Sequence, residues 1–303
     1  MRHYTIPQIL QSATNALSQL DGQVVDLVSV ERPTSLQYAL ELTKIISKLS
    51  PLLGNLFEFR IVDKLNSSNE LGVGRWIRQD PGFPDARYIS DEYPLDNIGV
   101  EIKAWFPLAT EITGRFKDSE DIFVNDSINV AIIVWLPEYI FWGKPQIIKT
   151  LIVSGKSIAI ARDAHYHNPP HYLVLEPEDT SERTGNLQQT NTNGYVFQHE
   201  TNAARIALYE QAVEEVKSWG ENTYSTSIEY QQKLKSLIGK YPYRLDTNYA
   251  KIDRIAHEGI EAFKEEILQT PIKGKTIQEW RRISSYDVND TRLVEAISAL
   301  LNS

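Results

Sequence analysis

Apolar residues recur at helical spacing over residues 5–20, where Ile6, Ile9, Leu10, Ala13, Leu17 and Leu20 fall on one face of an amphipathic helix. After Arg32-Pro33-Thr34, either Thr34 or Ser35 can cap a second helix, whose apolar face is Leu36, Leu40, Ile45, Ile46 and Leu49 up to Pro51. A third stripe over residues 52–65 is made by Leu53, Leu56, Phe57, Ile61 and Leu65, with Glu58 beside it. The period then shortens to two. In GVEIKAWF, residues 99–106, Val100, Ile102 and Ala104 enter one face of a strand while Glu101 and Lys103 leave the other. NVAIIVWL at 129–136, closed by Pro137, reads as a strand buried on both faces. KSIAIARD at 156–163 and HYLVLEPED at 171–179 read as two further strands, separated by HYHNPPH. From Asn202 the pattern is helical again, over NAARIALYEQAVEEVKSW, 227–237, 249–268 and 291–301. Tyr241-Pro242-Tyr243-Arg244 breaks that run, and Trp280-Arg281-Arg282 forms a basic-aromatic spot within it.

Helices, a strand-rich core and helices again predict an α/β or α+β fold with a mixed central sheet flanked by helices. The expected division is a core with N-terminal helices over 1–210 and a helical C-terminal region over 211–303, serving dimerisation or DNA contact. A chain of 303 residues that is 42% hydrophobic can bury a sizeable core. The absence of cysteine removes disulfides, thiol nucleophiles and zinc-cysteine sites. No apolar run approaches the length that spans a bilayer, and the N-terminus has no signal-peptide apolar core, so a cytoplasmic protein is expected. The net charge of −9 argues against a non-specific nucleic-acid coat, whose binding rests on phosphate neutralisation. It leaves a site-specific DNA enzyme open, because local charge decides there.

The stretch PDARYISDEYPLDNIGVEIK, from Pro84 to Lys103, carries the candidate chemistry. Glu101 and Lys103 stand side by side on one strand face, and the preceding hairpin brings a second acid near. Two hard carboxylates suit Mg²⁺, and a neighbouring ammonium can lower the pKa of an attacking water or stabilise the charge that develops on phosphorus. Read separately, the same residues have ordinary explanations. An E-x-K pair is commonly a surface ion pair, Pro-Asp is often a turn, and Glu58 can be a boundary carboxylate paired with Arg60 or Lys64.

Taken together, LGNLFEF at 53–59, FPD at 83–85 and IGVEIKAW at 98–105 resemble the PD-(D/E)xK nuclease superfamily, and most narrowly its MutH-like branch. A weaker likeness extends through HYLVLEPED and NGYVFQHETNAARIAL, so the resemblance covers residues 50–210. It implies a restriction-endonuclease-like fold and a Mg²⁺-dependent, sequence-specific endonuclease of double-stranded DNA, most simply a type II restriction enzyme. By the same resemblance, Asp85 and Glu101 are metal ligands, Lys103 is the catalytic lysine, and Glu58 supports metal or water. In that branch the Asp precedes the Glu by a short turn, whereas here ARYISDEYPLDN intervenes. Asp96 is therefore the competitor of Asp85, which is favoured because ARYI can form the paired strand; Asp91 reads as a turn tip.

Arg75, Arg78, Arg87, Arg115, Lys117 and Lys144 flank the site as candidate phosphate contacts, and Lys117, Lys144 and Lys149 are all open as an assisting lysine. The polar loop 180–194, with Asn186, Gln188, Gln189, Asn191 and Asn193, has side chains suited to adenine edges. His165, His167 and His171 lack a matching carboxylate and read as loop residues. Cleavage of a palindrome implies a two-fold homodimer. Two alternatives stand beside this reading: a MutH-like nicking endonuclease of DNA repair, and a non-catalytic helical interaction protein whose Glu101-Lys103 is a surface pair.

Overall fold

The computed structural model describes residues 4–26, 28–93, 97–112, 123, 125–167, 171–176, 193–198, 203–220, 227–241, 244–245 and 255–303. The first helical run folds as α1 (Ile6–Ser18), started by a reciprocal cap between Thr5 and Gln8. In α2 (Leu36–Ile45) the Ser35 hydroxyl is the cap, accepting from the Tyr38 N–H. Its buried face is Ala39, Leu40, Leu42 and Thr43, whereas Ile45, expected inside, is exposed. A 3₁₀ turn over Ile46–Leu49 redirects the chain into α3 (Ser50–Ser67), with Pro51 in its first turn. Leu53, Phe57, Ile61 and Leu65 repeat every four residues along α3 and are buried, as the periodicity predicts.

Five strands form the central sheet, in the order β1 (Arg75–Arg78), β2 (Ala86–Ile89), β3 (Gly99–Trp105), β4 (Ile128–Pro137) and β5 (Pro145–Ser154). All neighbours are antiparallel except β3 and β4, which run parallel over seven paired residues from Gly99↔Ile128 to Trp105↔Val134. The fold is thus mixed α/β. Within β4 only Asn129 is not fully buried, the mark of a strand covered on both faces.

Helix α3 packs across β1, β2 and β3. A side chain added at Gly54 of α3 would meet the Ala104 Cβ at 3.9 Å, so the Val100, Ile102 and Ala104 face looks at α3. Trp76 and Tyr88, paired across β1 and β2 with ring centroids 5.3 Å apart, lie on that same face by register. Glu101 and Lys103 leave the opposite face.

Two segments depart from the periodicity reading. The strand after β4 is residues 145–154, and KSIAIARD belongs to a helix, α4 (Gly155–His167). Short apolar runs fit either period, and here the cap decides: the Ser154 hydroxyl accepts from the Ser157 N–H at 3.1 Å, and the Ser157 hydroxyl donates to the Ser154 carbonyl. The helix expected over 249–268 is shorter, because His257 Nδ1 accepts from the Ile260 N–H and starts it at Glu258; residues 246–254 lie outside the described residues.

Contacts divide the chain into two units, Met1–Thr113 with Ser119–Ala159 and His257–Ser303, and Gly114–Asp118 with Ile160–Ala256. The second holds β6 (His171–Glu176) and β7 (Asn193–Gln198), parallel to each other, with β8 (Arg244–Leu245) antiparallel to β7. It also holds α5 (Ala203–Lys217) and α6 (Ile228–Ile238), around a core of Ala212, Val216, Tyr230, Leu234 and Leu237. The first unit is completed by α7 (Glu258–Gln269), the β9 (Pro271–Ile272) and β10 (Lys275–Thr276) hairpin, α8 (Ile277–Ser285) and α9 (Thr291–Leu301). The helices of residues 211–303 are therefore shared between the two units. Among the described residues no helix is long and apolar enough to cross a membrane.

Candidate active site

The acid-lysine stretch is built where β2 and β3 part. They pair for only two residues, Ala86↔Val100 and Arg87↔Gly99. Beyond that point side chains replace the ladder. Asp85 Oδ2 accepts from the Ile102 N–H at 2.7 Å, and Glu101 Oε2 accepts from the Asp85 N–H at 3.3 Å. Each acid thus satisfies a backbone donor of the other's strand, a reciprocal clasp that sets both carboxylates by one arrangement.

The turn carrying Asp85 is held from both sides. The Gln79 N–H donates to the Asp85 carbonyl at 2.8 Å, the Gln79 amide to the Pro84 carbonyl at 3.1 Å, and the Asn97 amide to the Phe83 carbonyl at 3.3 Å. Gly99 allows the close crossing: a Cβ there would overlap the Pro84 ring and lie 2.5 Å from the Ala86 carbonyl oxygen.

Glu101 is 7% exposed, and its Oε1 accepts from the Lys103 ammonium. Burial raises its pKa above the ordinary 4.5; Lys103 opposes the rise, and the neighbouring Asp85 charge adds to it. Glu58, on α3, lies near Asp85. Its pKa is also raised, first by burial and then by Asp85, against the lowering effect of Arg78. Neither Arg60 nor Lys64 holds it: Arg78 Nε does, at 2.8 Å. Arg78 in turn bonds Asp80 at 2.7 Å and lies 4.4 Å above the Phe59 ring, so it is a strut for Glu58.

Asp85, Glu101 and Lys103 are therefore brought together, with Glu58 close enough to feel Asp85. Among the described residues no three His, Asp or Glu side chains form a group able to hold a metal ion by themselves. A cation here would draw on two carboxylates and on backbone. On a strand, the N–H and C=O of one residue leave the same side. Ile102 gives its N–H to Asp85, so its carbonyl also faces the side that β2 has vacated. Two carboxylates and a carbonyl are a hard-oxygen set that fits Mg²⁺, which keeps several of its waters.

The remaining sequence candidates divide. Asp91 is exposed. Asp96, Arg115, Lys117 and most of the 180–194 loop lie outside the described residues, as do the side chains of His165, His167 and His171. Lys144 pairs with Asp26 and Lys149 with Glu266. Arg75 is exposed. Arg87, opposite Gly99, shares the Glu101 face by register, and its Nε is buried without a hydrogen-bond partner. From the sequence, the Ile102 carbonyl is a ligand only if the strand edge faces the metal, and Gly99 reads only as a turn residue; Gln79 and Asn97 were missed as positioning residues.

Ser157 and His257, 3.0 Å apart, resemble a nucleophile and base. The resemblance fails on the tautomer. His257 Nδ1 accepts from a backbone N–H, so Nε2 carries the proton and donates to the serine, leaving no base. Compared with known proteins, the chain matches no protein-family model, no curated protein and no solved structure.

Proposed function

We propose that the protein is a Mg²⁺-dependent endonuclease of double-stranded DNA, most simply a type II restriction enzyme with a restriction-endonuclease-like core. The observation that carries this reading is the clasp between Asp85 and Glu101 with Lys103 on the adjoining position. A clasp that presses two carboxylates together, one of them buried, disfavours the ionised pair. A bound divalent cation offsets that cost, which an ordinary surface ion pair does not incur.

In this reading Asp85, Glu101 and the Ile102 carbonyl hold the ion. Glu58, braced by Arg78, takes part through a water. When bound, Mg²⁺ supplies Lewis-acid stabilisation of the scissile phosphate and lowers the pKa of a water. The chain's own residues do the rest. Before a cation arrives, Lys103 neutralises Glu101. With Glu101 engaged by an ion, the Lys103 ammonium would be free to orient the attacking water and to stabilise charge on the phosphate oxygens. Arg87, half-buried on the same sheet face, contacts a backbone phosphate beside the cut in this reading.

The Glu101→Ala and Lys103→Ala proteins are expected to bind target DNA in a gel-shift assay with Ca²⁺ while losing about 10²-fold or more of their cleavage rate in Mg²⁺. Undiminished cleavage by either would rule out the assignment. On supercoiled plasmid the wild type is expected to proceed to linear DNA; arrest at open circle would favour the nicking alternative.

A further inference from the structure

A second site lies in the first unit, away from the acids, between the β9–β10 hairpin and helices α8 and α9. It is an open cavity of about 580 Å³, within the range of roughly 300–1,000 Å³ common to small-ligand sites. Lys273, Lys275, Arg282 and Arg292 line it against a single acid, Glu295. In a chain of net charge −9, that is a local reversal of sign. Its floor is apolar: Ile283, Ala296 and Leu300 line it over Trp280, which is only 2% exposed, and Tyr286 stands at the wall.

The cations are presented by rigid elements. Lys273 and Gly274 both have positive φ, 46° and 79°, giving a two-residue hairpin turn of the type that matches strand twist. A lysine in that conformation is strained relative to asparagine or glycine, and the strain fixes the rim on which Lys273 and Lys275 sit. The Trp280 indole N–H donates to the Ile272 carbonyl at 2.9 Å and locks the hairpin to α8. On the same wall, Arg292 is held by Asp290 at 2.6 Å and stacks 3.7 Å over Tyr286. Lys275 and Arg282 make no direct ion pair among the described contacts, although both lie near enough to the Glu279 carboxylate, which caps Thr276, to help lower its pKa.

We propose that this cavity binds a nucleoside phosphate, its base on the Ile283, Ala296 and Leu300 floor and its phosphate between Lys273, Lys275 and Arg282. Clustered cations select phosphate, and an apolar floor beside them favours a nucleobase over a bare anion. Free nucleotide and the end of a DNA strand share this chemistry. The inference does not depend on the site around Glu101.

The test is calorimetric titration of the full chain with deoxyadenosine monophosphate, with ribose 5-phosphate, and with a short blunt duplex. Deoxyadenosine monophosphate is expected to bind at least about tenfold more tightly than ribose 5-phosphate. Lys275→Gln with Arg282→Gln should weaken it about tenfold or more while leaving the thermal melt unchanged. Duplex competing for the bound nucleotide would identify a strand end as the source; duplex without effect would identify free nucleotide. Equal binding of the two phosphates, no binding of either, or full affinity in the double variant would overturn the proposal. A Lys273→Gly protein, which relieves the turn while removing one cation, should be more stable yet bind less tightly, an outcome that loss of folding cannot imitate.

Discussion

Glu101 joins the chemistry to the stability of the chain. Its carboxyl is buried and its pKa raised from 4.5, so between that value and its higher folded one the native state holds a proton that the unfolded chain has lost. Stability therefore falls as pH rises through that window and stays lower above it. Glu101→Gln removes the ionisation and is expected to raise Tm at neutral pH, by about 2 °C or more, with the gain vanishing below the ordinary carboxylate range. A lower Tm at neutral pH would mean that the Lys103 pair outweighs burial. The same proton competes with a cation. If Glu101 is a ligand, the Mg²⁺ concentration for half-maximal cleavage should rise as pH falls toward the ordinary carboxylate range, and a flat profile would count against that role. Lys103 and Glu101 were legible in the sequence because strand alternation alone puts them on one face. Arg78 as the partner of Glu58 was not, since the two are joined through the packing of α3 on β1 and not by helical spacing.

The site exists because two elements part company. Strands β2 and β3 share two residue pairs and then separate, and Asp85 fills the vacated position of the ladder with its side chain. Gly99 is the hinge of that geometry, since any Cβ would strike the Pro84 ring and the Ala86 carbonyl. Gly99→Ala is predicted to cost about 1–3 kcal/mol and to lower cleavage more than its stability loss explains, because Asp85 moves off the Ile102 N–H. Cleavage at the wild-type rate, with Tm reduced, would assign Gly99 to packing alone. Element type was legible where the period was long and clean, in α1, α3, β3 and β4. It failed at residues 156–163, where a two-serine cap outweighed an apolar run, and α8 went unassigned. There the Thr276-x-x-Glu279 capping box was the available signal. The long insertion between Asp85 and Glu101 is accommodated because ARYI forms β2 and returns the chain antiparallel to β3.

Across the whole molecule the charge is acidic, yet it is unevenly spread, with the candidate acids in one place and a cationic cavity in another. A palindromic target calls for two copies of the site related by a two-fold axis, so we propose a homodimer. Light scattering should give twice the chain mass with or without a palindromic duplex, and a monomer under both conditions would reject a symmetric cut. The division into two units was not legible from the sequence. The strands β6 to β8 and the helices α5 and α6 separate from α7 to α9 through contacts between distant residues, which local periodicity does not carry. The nuclease reading as a whole is tested most directly by incubating the purified chain with several plasmid and phage DNAs in Mg²⁺ and sequencing the fragment ends. A discrete fragment set whose ends share one sequence, absent with EDTA and absent for Lys103→Ala, is expected. Intact DNA throughout, or cutting that persists without a divalent cation, would refute it.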